Sequence, residues 1–183
     1  MLIERLFSTG IMQMGPSRVD PSRQVGVFNP EALRDLPAQR AAEMQKIAWL
    51  AGEWDYENLV PATAASPAYT DIGACRYALC DNNAWLCAVA PDGRETPLIT
   101  WDPFSRQWIY LLYRGGFGML RSADGWRDNH LAFTGLMTML GINTDWRIIF
   151  HRENDNQFSF VNEEKAEDGS WIYIDEWRFR RKE

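Results

Sequence analysis

From Gly52 to the end of the chain, apolar and polar residues alternate one by one, and clusters of turn-forming residues interrupt the alternation at short intervals. A period of two places successive side chains on opposite faces of an extended chain, and no helix can use it. The interruptions are Asp81-Asn82-Asn83, Pro91-Asp92-Gly93, Asp102-Pro103, Gly115-Gly116, Asp124-Gly125, Asn154-Asp155-Asn156 and Asp168-Gly169. Such residues either tolerate positive φ or preset the φ that a tight turn needs. Short alternating runs lie between them, from Trp54, Tyr56 and Asn58 on one face of the first to Trp171–Arg180 at the end. About ten short strands at this spacing predict a mainly β, antiparallel up-and-down barrel or sandwich, and exclude βαβ units.

Ahead of Gly52 the period is helical. Asn29-Pro30 offers an N-cap followed by proline at a first helical position, and Asp35-Leu36-Pro37 offers a second start. Ala41, Met44, Ala48 and Ala51 then recur at three- and four-residue intervals, with Gln39, Glu43 and Lys46 opposite them. Gly52 is placed to end the helix. An amphipathic helix of about four turns should therefore lay an Ala/Met stripe on one end of the β domain. Residues 1–28 carry Gly, Pro and Ser without periodicity and read as an N-terminal arm, leaving 29–183 as a single domain with its helix.

Composition narrows the function. Aromatic residues make up 13% of 183 positions, with nine Trp, and suit walls, pockets and interfaces. A formal net charge of −6 argues against nucleic acid, which requires a basic face. No run approaches the ~20 apolar residues that span a bilayer, so no membrane partner is expected. The three cysteines have no metal-ligand spacing, and Cys75 and Cys80 fall on opposite faces of one strand. They read as unpaired thiols in a reducing compartment, and the expected location is cytoplasmic.

Three segments carry a resemblance. Leu50-Ala51-Gly52-Glu53-Trp54-Asp55-Tyr56 follows the helix, Trp101-Asp102-Pro103-Phe104-Ser105-Arg106-Gln107-Trp108 is a strand–turn–strand, and Glu176-Trp177-Arg178-Phe179-Arg180 closes the chain. In this order, over roughly residues 37–182, they resemble the calycins, that is, the lipocalins and their bacterial relatives, and in particular a bacterial family of lipocalin-like barrels. The resemblance implies a closed barrel with the helix over one end. It also implies that Trp54 seals that end beneath an arginine of the last strand, Arg178 or Arg180. The haem-binding nitrobindin barrels are a cousin family, but the last strand here has no histidine and Asp55-Tyr56-Glu57 replaces their glycine-rich stretch. Haem is therefore disfavoured and no other cofactor is implied.

Catalytic signals are sparse. There is no Gly-x-Ser-x-Gly elbow. His130 and His151 stand at strand ends with no third metal ligand nearby in sequence, so neither a catalytic nor a metal site is assigned. Glu53 and Asp55 around Trp54, or Asp175 and Glu176 beside Trp177, are the candidates for a buried acid/base pair, but period two turns most such carboxylates to solvent. The aromatic residues point instead to a ligand. Trp85, Trp101, Tyr110, Trp146 and Tyr173, with Arg147, are the candidate lining for a small hydrophobic or amphipathic molecule with an anionic end. One alternative is an enzyme of decarboxylase, cyclase or isomerase type using the same cavity; another is an interaction module with a filled interior. If the sealing arginine points inward, strict alternation turns Trp171, Tyr173, Trp177 and Phe179 outward. A homodimer interface or the N-terminal arm would then be needed to cover them.

Overall fold

The structure, a computed structural model, describes residues 34–113, 116–122, 124–139 and 141–182. The N-terminal arm and the helix signal at Asn29-Pro30 lie outside the described residues. Pro37–Glu183 forms one compact unit. It is built from helix α1 (Leu36–Gln45) and ten strands: β1 (Gly52–Val60), β2 (Tyr69–Cys80), β3 (Trp85–Val89), β4 (Glu95–Asp102), β5 (Gln107–Leu112), β6 (Gly116–Ser122), β7 (His130–Met139), β8 (Ile142–Asn154), β9 (Gln157–Lys165) and β10 (Trp171–Arg181). Each strand pairs antiparallel with its sequence neighbours, and β1 pairs with β10 to close the barrel. Closure removes both free edges, which would otherwise invite pairing with other chains.

The helix is shorter than its sequence pattern. It ends at Gln45, and after a turn a single 3-10 turn spans Ala48–Leu50. The predicted stripe of Ala41, Met44, Ala48 and Ala51 is replaced by Met44, Ile47 and Leu50, all buried, while Ala41 is exposed. Residues three apart eclipse one another in a 3-10 segment, so the tighter winding selects this spacing. Gly52 is already the first residue of β1. Its φ of +141° and the Arg181 guanidinium packed where a Cβ would sit both require glycine.

Register fixes which side chains face the lumen. On β1 these are Trp54, Tyr56 and Asn58, opposite Arg181, Phe179 and Trp177 on β10. At the end of the barrel nearer α1, Trp54, Leu120, Leu131, Phe133 and Phe158 are all 0–1% exposed. The α1 residue Met44 joins the same core, and the Arg40 side chain donates to the Trp101 carbonyl at 3.1 Å.

Cys80 on β2 and Cys87 on β3 form a disulfide across neighbouring strands, with their Cα atoms 6.2 Å apart. This corrects the expectation of unpaired thiols. Alternation excludes the Cys75–Cys80 pair, but hairpin register sets Cys80 diagonal to Cys87, a distance that local sequence does not reveal. Cys80 and Cys87 therefore lend no support to a reducing compartment. No helix among the described residues is long and apolar enough to cross a membrane.

Candidate functional site

The seal at the α1 end differs from the expected one by a single step along β10. Arg181 lies over the Trp54 ring, 4.2 Å from its centroid. Its guanidinium donates to the carbonyls of Ala51 at 3.0 Å, Asp155 at 3.2 Å, and Trp49. Arg178 and Arg180, the expected partners, are exposed on the outer face, and Arg178 pairs there with Glu176. The β1–β10 register sets this by pairing Trp54 with Arg181, and upstream a β-bulge at Tyr173/Asp175 shifts the register with β9. An extra residue in one strand reverses the alternation on either side of it. Trp177, Phe179 and Arg181 consequently face inward, whereas Trp171 and Tyr173 stay outside. The argument for covering a four-ring outer face on β10 thus loses two of its rings.

The same register sorts the six predicted lining residues. Trp101, Tyr110 and Trp146 face the lumen and are buried. Trp101 sits at the packed end and Tyr110 midway, against Phe133 and Phe150. The other three are corrected. Trp85 pairs with Cys80 on the outward parity of β3, since Leu86 takes the inward one. Arg147 lies on the outside of β8, where it pairs with Glu163 and stacks on Trp171 at 4.4 Å. Tyr173 is on the outer face at the far rim, beside a pocket of about 320 Å³ between β1 and β2, and its hydroxyl reaches the Leu59 carbonyl at 3.5 Å. Every second residue of a strand faces out, and rings far apart in sequence carry no parity relative to one another until they are paired. The two histidines lie opposite each other on β7 and β8, stacked 4.5 Å apart outside the lumen.

The half of the lumen away from α1 has a different character. Tyr56, Phe160 and Trp177 face inward there but are only partly buried, with ring centroids 5.0–5.7 Å apart. Among these rings lies a polar cluster. The Asn162 amide donates to Asp175 Oδ1 at 2.6 Å, and Trp146 Nε1 donates to Asn162 Oδ1 at 3.2 Å. One strand position further out, Thr144 donates to Glu164 at 2.6 Å. Burial pushes the Asp175 carboxyl above the usual aspartate range, and the amide of Asn162, with Trp177 and Asn58, draws it part of the way back. Asn58, 8% exposed, has a buried Oδ1 with no hydrogen-bond partner. An orphan acceptor of this kind costs free energy wherever nothing arrives to satisfy it.

Sequence reasoning missed this cluster, although one signal was present. Asn58 shares the inward parity of Trp54 and Tyr56, so a polar residue was due on the ring-bearing face. Asp175 is one of the carboxylates among tryptophans, most of which period two turns to solvent, and the bulge places it on the inner face.

Asp175 has a consequence for stability. With its folded-state pKa above the ordinary 3.8, the native state keeps the proton longer than the unfolded chain. Its contribution is therefore most favourable at acid pH and is lost as pH rises through that window. Asp175→Asn, neutral throughout, should gain stability relative to the parent between pH 4 and 7. Urea denaturation of both proteins at the two pH values measures this, and a difference that does not change with pH contradicts it.

No family model matches this chain, and no curated protein matches it. Among solved structures, the crystal structure of Rv2717c from M. tuberculosis is similar with a TM-score of 0.49 at 9% identity, covering 79% of this chain and 99% of that one. The structure of EF1p2_mFAP2b bound to DFHBI gives a TM-score of 0.33 at 15% identity, covering 78% and 98%. The redesigned β-barrel mFAP1, also bound to DFHBI, gives 0.32 at 17%, covering 78% and 99%.

Proposed function

We propose that this protein is a small-molecule-binding barrel of calycin type that holds a compact, largely apolar molecule in the half of its lumen away from α1. The supporting observation is the contrast between the two halves. Near α1 the inward side chains of Trp54, Leu131, Phe133 and Phe158 are 0–1% exposed, whereas the inward rings of Tyr56, Phe160 and Trp177 beyond them are only partly buried. A ten-stranded barrel is wide enough to leave such a space once one end is filled. Pockets of this kind are lined mainly by rings with a few convergent polar groups, and the Asn58–Asp175–Asn162 cluster supplies the polar ones. Among the inward tryptophans, Trp146 and Trp177 flank this space, while Trp101 belongs to the packed end.

Titration with N-phenyl-1-naphthylamine tests the reading, because this uncharged probe gains fluorescence on leaving water. Saturable enhancement near one probe per chain is expected, with dissociation in the micromolar range, on the order of −8 kcal/mol. Energy transfer from protein tryptophan should accompany it. An absence of saturable enhancement would count against a ligand-holding lumen.

A further inference from the structure

The inner wall of the half away from α1 carries charged side chains of one sign. Among the described residues, the charged side chains that register turns inward in the half away from α1 are Asp71, Glu164 and Asp175, all acidic. Asp71 pairs with Asn58 and Glu164 with Trp146. Arg147, the basic residue expected to meet an anionic ligand, is outside, and Arg152 and Arg181 are occupied with Trp49 and Trp54 at the α1 end. Acidic residues alone would not define a site. The second observation is Asn58, more than nine-tenths buried, whose side chain hydrogen-bonds Asp175 while its Oδ1 has no partner.

The donors of the cluster are engaged: Trp146 Nε1 with Asn162, the Asn162, Trp177 and Asn58 side chains with Asp175, and the Thr144 hydroxyl with Glu164. The groups left over are acceptors, namely Asn58 Oδ1 and carboxylate lone pairs. A site that presents acceptors rejects a carboxylate, which brings only more of them, and takes an N–H donor. The adjoining rings of Trp177 and Tyr56 offer faces that attract a cation.

Resting on the lumen-binding reading above, we infer that the ligand is an aromatic or alicyclic amine. Its protonated nitrogen donates to Asn58 Oδ1 and the Asp175 carboxylate, while its apolar body lies against Tyr56, Phe160 and Trp177. This reverses the anionic preference expected from the sequence.

Competition against bound N-phenyl-1-naphthylamine with three probes of one skeleton tests the inference: 2-naphthylmethylamine, 2-naphthylmethanol and 2-naphthoate. The amine should displace the reporter at concentrations at least about tenfold below the alcohol, and the carboxylate should be weakest, since hydrogen bonds to charged groups reach that size. In Asp175→Asn the amine-to-alcohol affinity ratio should collapse toward unity. In Asn58→Leu the ratio should fall as well. A ratio taken within one variant cancels any general loss of folded protein, and near-ultraviolet circular dichroism confirms packing. If the reporter binds but the amine shows no advantage, the amine inference fails and the lumen reading stands. If the advantage survives Asp175→Asn, Asp175 is not the contact and the assignment is overturned. Failure of the reporter itself to bind removes both.

Discussion

Trp54→Ala should lower the unfolding free energy by about 3–5 kcal/mol, the range for truncating a large ring in a core that cannot collapse around the void. Trp54 is fully buried and stands edge-on to Phe158, with centroids 4.8 Å apart. Its indole N–H donates to the Leu50 carbonyl at 2.8 Å, tying β1 to the 3-10 turn that precedes it. Relaxation into the void is opposed from two sides. Strands β1 and β10 are held by the closed ladder, and Arg181 is pinned by the carbonyls it serves. Trp54→Phe keeps most of the packing and loses the hydrogen bond, for a smaller cost of about 1–3 kcal/mol. Guanidinium denaturation of the three proteins, followed by circular dichroism, gives the ordering. A loss under about 1 kcal/mol for Trp54→Ala would mean that the ring does not seal the barrel.

Arg181→Ala should be the next most damaging, at about 2–4 kcal/mol, since it removes several charge-assisted hydrogen bonds and a cation–π contact together. The carbonyls of Trp49 and Ala51 lose their donor, and Gly52 loses the side chain packed against its α-carbon. Arg181→Lys should recover little. An ammonium cannot serve diverging carbonyls from a planar fork while lying flat on an indole. Arg178→Ala and Arg180→Ala should each stay within about 0.5 kcal/mol, because both side chains are exposed on the outer wall. The same denaturation series compares all four variants. An equal loss at positions 178 and 181 would contradict the β1–β10 register.

Much of the fold is legible in the chain. Turn clusters and alternating runs locate ten strands, and meander connectivity follows from short links between antiparallel neighbours. Trp54 as the plug and a basic residue from the last strand as its cover are legible from the resemblance. Facing is not legible in the chain: of the six candidate lining residues, register turns Trp101, Tyr110 and Trp146 inward and Trp85, Arg147 and Tyr173 outward. The polar cluster was the least visible part. Asn58, Asn162 and Asp175 are separated by up to 117 positions and meet only because β1, β9 and β10 are consecutive in the closed sheet.

The sequence by itself determined the class of architecture, because the period of two and its turn residues act within a few positions of one another. Tertiary structure decided which face of each strand is inside. That choice depends on strand register, and a single bulge at Tyr173/Asp175 inverts it for the rest of β10. Register with β1 sets Arg181 on Trp54 and Trp177 and Phe179 in the lumen, while the bulge leaves Trp171 and Tyr173 outside. The bulge also buries a carboxylate that strict alternation would leave in water. Local pattern cannot encode such a decision, since its energy lies in contacts between strands that are distant in the chain.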